Sequence, residues 1–378
     1  MKHISLLLLL VFAVSACAPS APTSEPIPTE IVDTPTVAAA PTEPLRSMNR
    51  IKIAAPSLAN NLVGELAEHT IFVYLPPSYA TSEKRYPVVY YLPGYGDTTM
   101  IGFRLPEGMD PLIESGQVEE MIVVVAGGDS EIGGSFYVNS PVTGNWEDYI
   151  VEDVVGYVDD NFRTLPQAES RGITGHSMGG FGALNIAMHH PDVFSAVYSM
   201  SPGLFDRDGL AESFMFADER IIANFVNYEN ELASLSVEDA QQRMLRSPQQ
   251  FALAYGYAFA PNPDQHPPYF DYPYQEFNGE LIRDDAVWAK WESGFGGIAE
   301  EAAQYKDNLL ALKGIVVDYG IHDENQWIPK GSEYYGEQLS AEGIPVRVES
   351  YNGNHSNQLA VRIREHMLPF FSTLLTFE

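Results

Sequence analysis

One cysteine in 378 residues, 21 basic side chains against 51 acidic ones, and no apolar run long enough to span a membrane set the first limits on this chain. With Cys17 alone, no intrachain disulfide can form. A formal net charge of −30 repels phosphate backbones and anionic surfaces, so nucleic acid and polyanionic substrates are not expected partners. A membrane-crossing helix needs about 20 consecutive apolar residues, and the run from Ile4 to Val14 falls short of that. No G-x-G-x-x-G, Walker or zinc-ligand spacing occurs, so no nucleotide, catalytic metal or other cofactor is expected. Internal repeats are also lacking.

What is present begins with a leader. Met1-Lys2-His3 precedes the apolar run, and Val14-Ser15-Ala16-Cys17 follows it. This is the pattern of a secretory signal whose cysteine is acylated and becomes the new N-terminus. Residues 1–17 therefore read as a lipoprotein signal peptide with Cys17 as the lipid attachment site. The mature protein is expected on the bacterial cell envelope, outside the cytoplasm, touching the membrane only through that anchor. Residues 18–46 carry seven prolines among Thr, Ser and Glu and cannot bury a core. They read as a linker able to reach up to ~80 Å in extended form.

From residue 47 to 378 the texture is that of one folded domain. His69–Tyr79, Tyr86–Gly96 and Met121–Gly128 read as strands rich in β-branched and aromatic residues. Asn145–Phe162 reads as an amphipathic helix with Asn145 as N-cap and Tyr149, Ile150, Val154, Val155 and Val158 on its buried face. Further strands fall at Gly172–Thr174, Ala196–Met200, Ile315–Tyr319 and Val346–Tyr351, with helices from Gly179 and Gln358. Alternating strands and helices predict an α/β protein with a mostly parallel central sheet flanked by helices. The alternation stops between Ser201 and Leu310. Helices are expected there near Ala217–Leu235 and Val237–Leu245, and the Pro- and aromatic-rich stretch Tyr255–Phe277 is excluded from a central strand. Residues 201–310 thus read as an insertion over one edge of the sheet.

Gly175-His176-Ser177-Met178-Gly179 fits G-x-S-x-G at a strand-to-helix corner. Such a turn exposes one hydroxyl and aims the next backbone N–H, that of Met178, at an attacked carbonyl. A serine at its ordinary pKa needs a base, and the base needs an orienting carboxylate; both should follow it in the chain. Of nine histidines, His355 stands in a glycine-containing loop after a strand and before a helix. His189 and His190 close a helix, His366 lies inside one, and His266 sits in the insertion. Asp318, Asp323 and Glu324 are the candidate acids, and the loop position favours Asp323. A second oxyanion donor is expected from Tyr95, after the turn at Gly94. Candidate substrate contacts are Phe136, Tyr137, Trp146 and His176, with Tyr255, Tyr257, Tyr269 and Tyr272 adding to an apolar, sugar-stacking cleft.

With these residues in place, the chain resembles the Putative esterase (esterase D-like) family of α/β-hydrolases. That group includes feruloyl esterases, S-formylglutathione hydrolases and mycolyltransferases. "LIESGQVEEMIVVV", "SFYVNSPVTGNWEDYIVEDVVGYVDDNFRT" and "GHSMGGFGAL" carry the resemblance. It implies the α/β-hydrolase fold and a serine carboxylic-ester hydrolase, with Ser177 as nucleophile, Asp323 in "GIHD" as acid, His355 in "NGNH" as base, and Met178 and Tyr95 as oxyanion donors. Many members have His-Gly where this chain has Pro93-Gly94, and the insertion is longer than in compact members. A feruloyl or acetyl ester of a carbohydrate is the expected substrate. An acyltransferase of the mycolyltransferase type, or a solute-binding lipoprotein without catalysis, are the alternative readings.

Overall fold

A computed structural model describes residues 47–97 and 105–378. The leader, Cys17 and the linker up to residue 46 lie outside the described residues. Eight strands form the central sheet: β1 Met48–Ala54, β2 Glu68–Tyr74, β3 Val88–Leu92, β4 Ile122–Ala126, β5 Arg171–His176, β6 Ala196–Met200, β7 Gly314–Gly320 and β8 Arg347–Tyr351. Their order across the sheet is β1-β2-β4-β3-β5-β6-β7-β8. Only β2 runs against its neighbours; every pairing from β4 to β8 is parallel.

The central strands are buried along their whole length, which explains why VVYYL and IVVVA read as unbroken apolar runs. Alternation then divides their side chains between two cores. Val88, Tyr90 and Leu92 join Ile122, Val124, Ile173 and Val197 on one face, together with residues of the helices Met178–His189 and Trp327–Ala341 and of the insertion. Val89, Tyr91, Val123, Val125 and Tyr198 face the other way. There they meet the helix Leu105–Glu114 and the C-terminal helical segment around Met367 and Phe371.

The helix expected from Asn145 runs from Trp146 to Asn161, with a wider π turn across Tyr149–Val154. Its five predicted inward residues are all buried. The cap is a correction. Asn145 makes no side-chain cap bond, because it is held in a short antiparallel ladder opposite Asn139. Asn139 caps instead: its Oδ1 accepts from the N–H groups of Glu147 at 3.0 Å and Asp148 at 3.2 Å.

The insertion holds helices Glu219–Ala233, Val237–Met244 and Gln250–Phe259. The stretch Tyr255–Phe277, expected to lie outside the central sheet, begins inside the third of these. It ends in the hairpin Tyr274–Phe277 with Glu280–Arg283, whose turn residues Asn278 and Gly279 both have positive φ. That hairpin stands apart from the main sheet. The insertion shares the sheet's core rather than lying loosely on it. Tyr255 packs on Phe136, Phe295 and Trp291 at ring separations of 5.4, 5.3 and 5.5 Å, and Phe295 packs on Phe181 at 5.0 Å.

At the end of Met178–His189, one carboxylate gathers two histidines. Glu147 Oε1 lies 2.8 Å from His190 Nε2 and 3.2 Å from His189 Nδ1, and Asn185 donates to its other oxygen at 3.1 Å. Burial opposes ionisation of Glu147, but the hydrogen bonds of the two histidines outweigh it and hold its pKa down to about 2. The same bond from Glu147 raises His190. A depressed carboxylate stabilises the fold above its unfolded pKa of about 4.5 and loses this as pH falls. A raised histidine stabilises below about 6.5 and loses this as pH rises. The two overlap between these values. Glu147→Gln is therefore expected to lower Tm most near pH 5.5, with the gap from wild type narrowing toward pH 8 and below pH 4. Thermal melts of both proteins across that range check it.

Candidate active site

The corner at Ser177 is built by exclusion. Strand β5 ends at His176 and the helix Met178–His189 begins one residue later, leaving Ser177 at φ 58° and ψ −118°. A non-glycine residue rarely occupies such backbone. The flanking glycines make it possible. A Cβ on Gly175 would lie 2.2 Å from the Gly179 carbonyl oxygen, and one on Gly179 would lie 1.9 Å from that of Leu92. The strained residue is pinned on both sides: Ser177 N–H donates to Met200 O at 3.0 Å, and Gly203 N–H donates to Ser177 O at 3.0 Å.

Two loops from the neighbouring strand ends bring the other groups. His355 follows β8, and its Nε2 lies 3.0 Å from Ser177 Oγ. Its Nδ1 lies 2.6 Å from Asp323 Oδ2. Asp323 follows β7 and has no exposed surface; its second oxygen accepts from Asn325 N–H at 2.8 Å. The loops are zipped together. Ile321 N–H donates to Tyr351 O at 3.0 Å and His322 N–H to Gly353 O at 2.9 Å. A Cβ on Gly320 would meet Gly353 O at 2.4 Å, so the approach needs glycine. A carboxylate can only accept, which assigns the proton to Nδ1 and leaves the Nε2 lone pair facing the serine hydroxyl. The arrangement can take a proton from Ser177 while Asp323 steadies the resulting cation.

The other two candidate acids go elsewhere. Asp318 is bonded to Arg362 and Tyr198 inside the sheet. Glu324 Oε2 accepts from the His355 backbone N–H at 3.3 Å.

Met178 opens its helix, so its N–H has no intrahelical acceptor. The Gly94-Tyr95 turn lies against the serine: a Cβ on Gly94 would sit 3.3 Å from Ser177 Cβ. Three bonds hold that turn. Tyr95 OH donates to Ile132 O at 2.6 Å, Gly96 N–H to Gly133 O at 2.9 Å, and Tyr137 OH to Pro93 O at 2.9 Å.

Several expected substrate contacts are corrected. Phe136, Tyr137 and Trp146 have no exposed surface and belong to the core. Trp146 donates to Thr143 O at 3.0 Å, and Tyr137 anchors the Pro93 turn instead of facing a ligand. Tyr255 and Tyr257 are equally buried, while Tyr269 and Tyr272 pack against the same core. His176 is buried too, and its Nε2 lies 2.8 Å from the main-chain oxygen of His355. Only a protonated Nε2 can donate there. Burial first, and the nearby His355 next, hold the His176 pKa down to about 4, so it is neutral beside His355. Its place before the serine was visible in the sequence; its reach across to residue 355 was not.

Strand order, a single reversed strand and a serine at the turn after β5 make this an α/β-hydrolase. The chain belongs to the Putative esterase family, whose model matches residues 67–359. Over 144 residues it is 33% identical to Esterase Rv1288 of Mycobacterium tuberculosis, covering 36% of this chain and 30% of that protein. Over 148 residues it is 30% identical to an S-formylglutathione hydrolase of Arabidopsis thaliana, covering 35% of this chain and 51% of that one. The chain thus spans about half or less of the length of these curated relatives. A solved structure titled ferulic acid esterase aligns with 87% of this chain and 98% of its own, at a TM-score of 0.57 and 20% identity, a likeness of fold.

Because the Leu92 carbonyl leaves no space, Gly179→Ala is expected to destabilise the protein by at least about 1–3 kcal/mol, read as a fall in Tm or loss of soluble protein. An unchanged Tm would mean that the corner is looser than described.

Proposed function

We propose that this protein is a serine carboxylic-ester hydrolase working through an acyl-enzyme. The observation that carries this reading is the hydrogen-bonded line from Asp323 through His355 to Ser177, with separations of 2.6 and 3.0 Å. Ser177 Oγ attacks the ester carbonyl carbon as His355 Nε2 takes its proton. Asp323 keeps the Nδ1 proton in place and offsets the imidazolium charge. The Met178 and Tyr95 N–H groups receive the tetrahedral oxyanion, and His355 returns the proton to the leaving alcohol. Water then enters, gives up a proton to His355 and releases the acid, restoring the serine.

A carbohydrate-linked feruloyl or acetyl ester outside the cytoplasm is the substrate we favour. The leader and Cys17 point to that compartment, with residues 1–17 as signal, 18–46 as linker and 47–378 as the catalytic domain. S-formylglutathione, named for one relative, is a cytosolic thioester and fits that compartment poorly. Aromatic surface near the site supports an apolar acyl group. Phe214 is 48% exposed and packs on Phe251 at 5.0 Å, which packs on Tyr95 at 4.9 Å. This line of rings reaches from the candidate oxyanion turn to solvent, and it replaces the buried Phe136, Tyr137 and Trp146 as the candidate ligand surface.

Ser177→Ala is expected to lower kcat for p-nitrophenyl acetate by about 10⁴-fold or more, and Asp323→Asn by about 10³–10⁴-fold. Fluorophosphonate should label wild-type Ser177 and leave Ser177→Ala unlabelled; an unlabelled wild type would favour a binding protein over an enzyme. Comparing release of ferulate and acetate with transfer to an added alcohol separates the hydrolase from an acyltransferase.

A further inference from the structure

Arg362 sits in the helical segment that follows β8 and is almost completely buried. Its Nε donates to Asp318 Oδ2 at 2.7 Å. Its Nη2 donates to Tyr198 OH at 2.9 Å and to Glu349 Oε2 at 2.6 Å. Tyr198 OH in turn donates to Asp318 Oδ2 at 2.7 Å, and the guanidinium lies 5.0 Å from the centre of the Tyr351 ring. One cation therefore grips three successive parallel strands: β6 through Tyr198, β7 through Asp318, and β8 through Glu349 and Tyr351.

Those strands end in the loops of the active site. Beyond Tyr198, the Met200 carbonyl holds the N–H of Ser177, and Ser201 N–H donates to the Asp318 carbonyl at 2.7 Å. Beyond Asp318, the chain turns at Gly320 into Asp323. Beyond Tyr351, whose hydroxyl is 3.3 Å from Ser201 Oγ, it runs on to His355. Asp323 and His355 are thus each a few residues from a strand held by this guanidinium, and Ser177, which follows β5, is hydrogen-bonded to the end of the third.

We infer that Arg362 is a positioning residue for catalysis: by tying β6, β7 and β8 together, it sets the alignment of Ser177, His355 and Asp323. The inference rests on the hydrolase reading above. Stability alone is a poor explanation for this cluster. Desolvation of buried charges commonly cancels their attraction, and apolar replacements of similar volume are often no less stable. Asp318 Oδ1 is buried and has no hydrogen-bond partner among the described residues, so the cluster is not optimised for stability. What a planar, multiply donating cation supplies that a packed apolar pair does not is a fixed relative height for three strands. Catalysis is sensitive to that height, since a displacement of about 1 Å at the reacting groups can cost ~10²-fold in rate.

The test uses the full chain and counts competent sites by the end point of fluorophosphonate labelling. The paired variant Asp318→Asn with Arg362→Met removes both charges and leaves neither stranded. Its kcat per labelled site on p-nitrophenyl acetate is expected to fall about 10–100-fold with KM within about 3-fold. A kcat per site equal to wild type, whatever happens to Tm, overturns the inference and gives Arg362 a structural role only. Should the pair fail to fold, Arg362→Lys decides. It keeps the charge but not the fork, so kcat per site should drop about 10-fold; wild-type kcat overturns the proposal. A wild-type protein that is not labelled at Ser177 removes the hydrolase reading and this inference with it. A labelled wild type beside a fully active variant removes the inference alone.

Discussion

The contact between Gly179 and the Leu92 carbonyl governs the site. There is no volume for even a methyl group where the helix after Ser177 crosses the end of β3. That closeness lets a strand become a helix within one residue, at a backbone angle a serine seldom adopts. The strain is held by bonds to Met200 and Gly203, both near the end of β6. In return, Ser177 stands at the N-terminus of a twelve-residue helix whose first N–H has no intrahelical acceptor. The neighbouring loops must then reach this point, and Gly320 against Gly353 repeats the device between β7 and β8. Close backbone approach, secured by glycine, precedes every side-chain distance in the site.

Much of this was legible in the sequence because it is local. Ser177 and its two flanking glycines lie within five consecutive letters, and the buried strands are unbroken apolar runs. Chain order sorted the histidines, since a base in this fold must follow its nucleophile. What escaped was set by tertiary partners. Asn145 has the chemistry of a cap, but its ladder with Asn139 hands the capping to the other residue. Phe136, Tyr137 and Trp146 have the chemistry of a ligand surface, but no alphabet of single residues tells a buried ring from an exposed one. The hairpin at Asn278-Gly279 carries its own turn signal, which the surrounding prolines obscured.

Two histidines within one site show how burial sorts like groups into different roles. The His176 and His355 rings are 4.6 Å apart, close enough for two positive charges to repel strongly in a partly dry environment. The protein avoids this by burying His176 and committing its Nε2 proton to the His355 carbonyl. That ring stays neutral and rigid. The residue before Ser177 thereby holds the main chain of His355.

Asp318 and Asp323 make the same point for carboxylates. They stand five residues apart, and both are fully buried. Asp318 points into the sheet, where burial pushes it up to about 6 against the opposing pull of Arg362. Asp323 lies past the strand end, where the turn supplies the Asn325 N–H to one oxygen and His355 to the other. An acid used to orient an imidazole must remain an acceptor while the imidazole gains charge. A carboxylate with a fixed donor on each oxygen, one of them the imidazole itself, meets that demand. Asp318 does not, because its Oδ2 is shared between a phenol and a guanidinium, its Oδ1 is buried with no hydrogen-bond partner among the described residues, and its distance from the loop of His355 is set by the strand that contains it. The exit of the chain from the sheet at Gly320, rather than any difference between two aspartates, divides the carboxylate held inside the sheet from the one that faces His355.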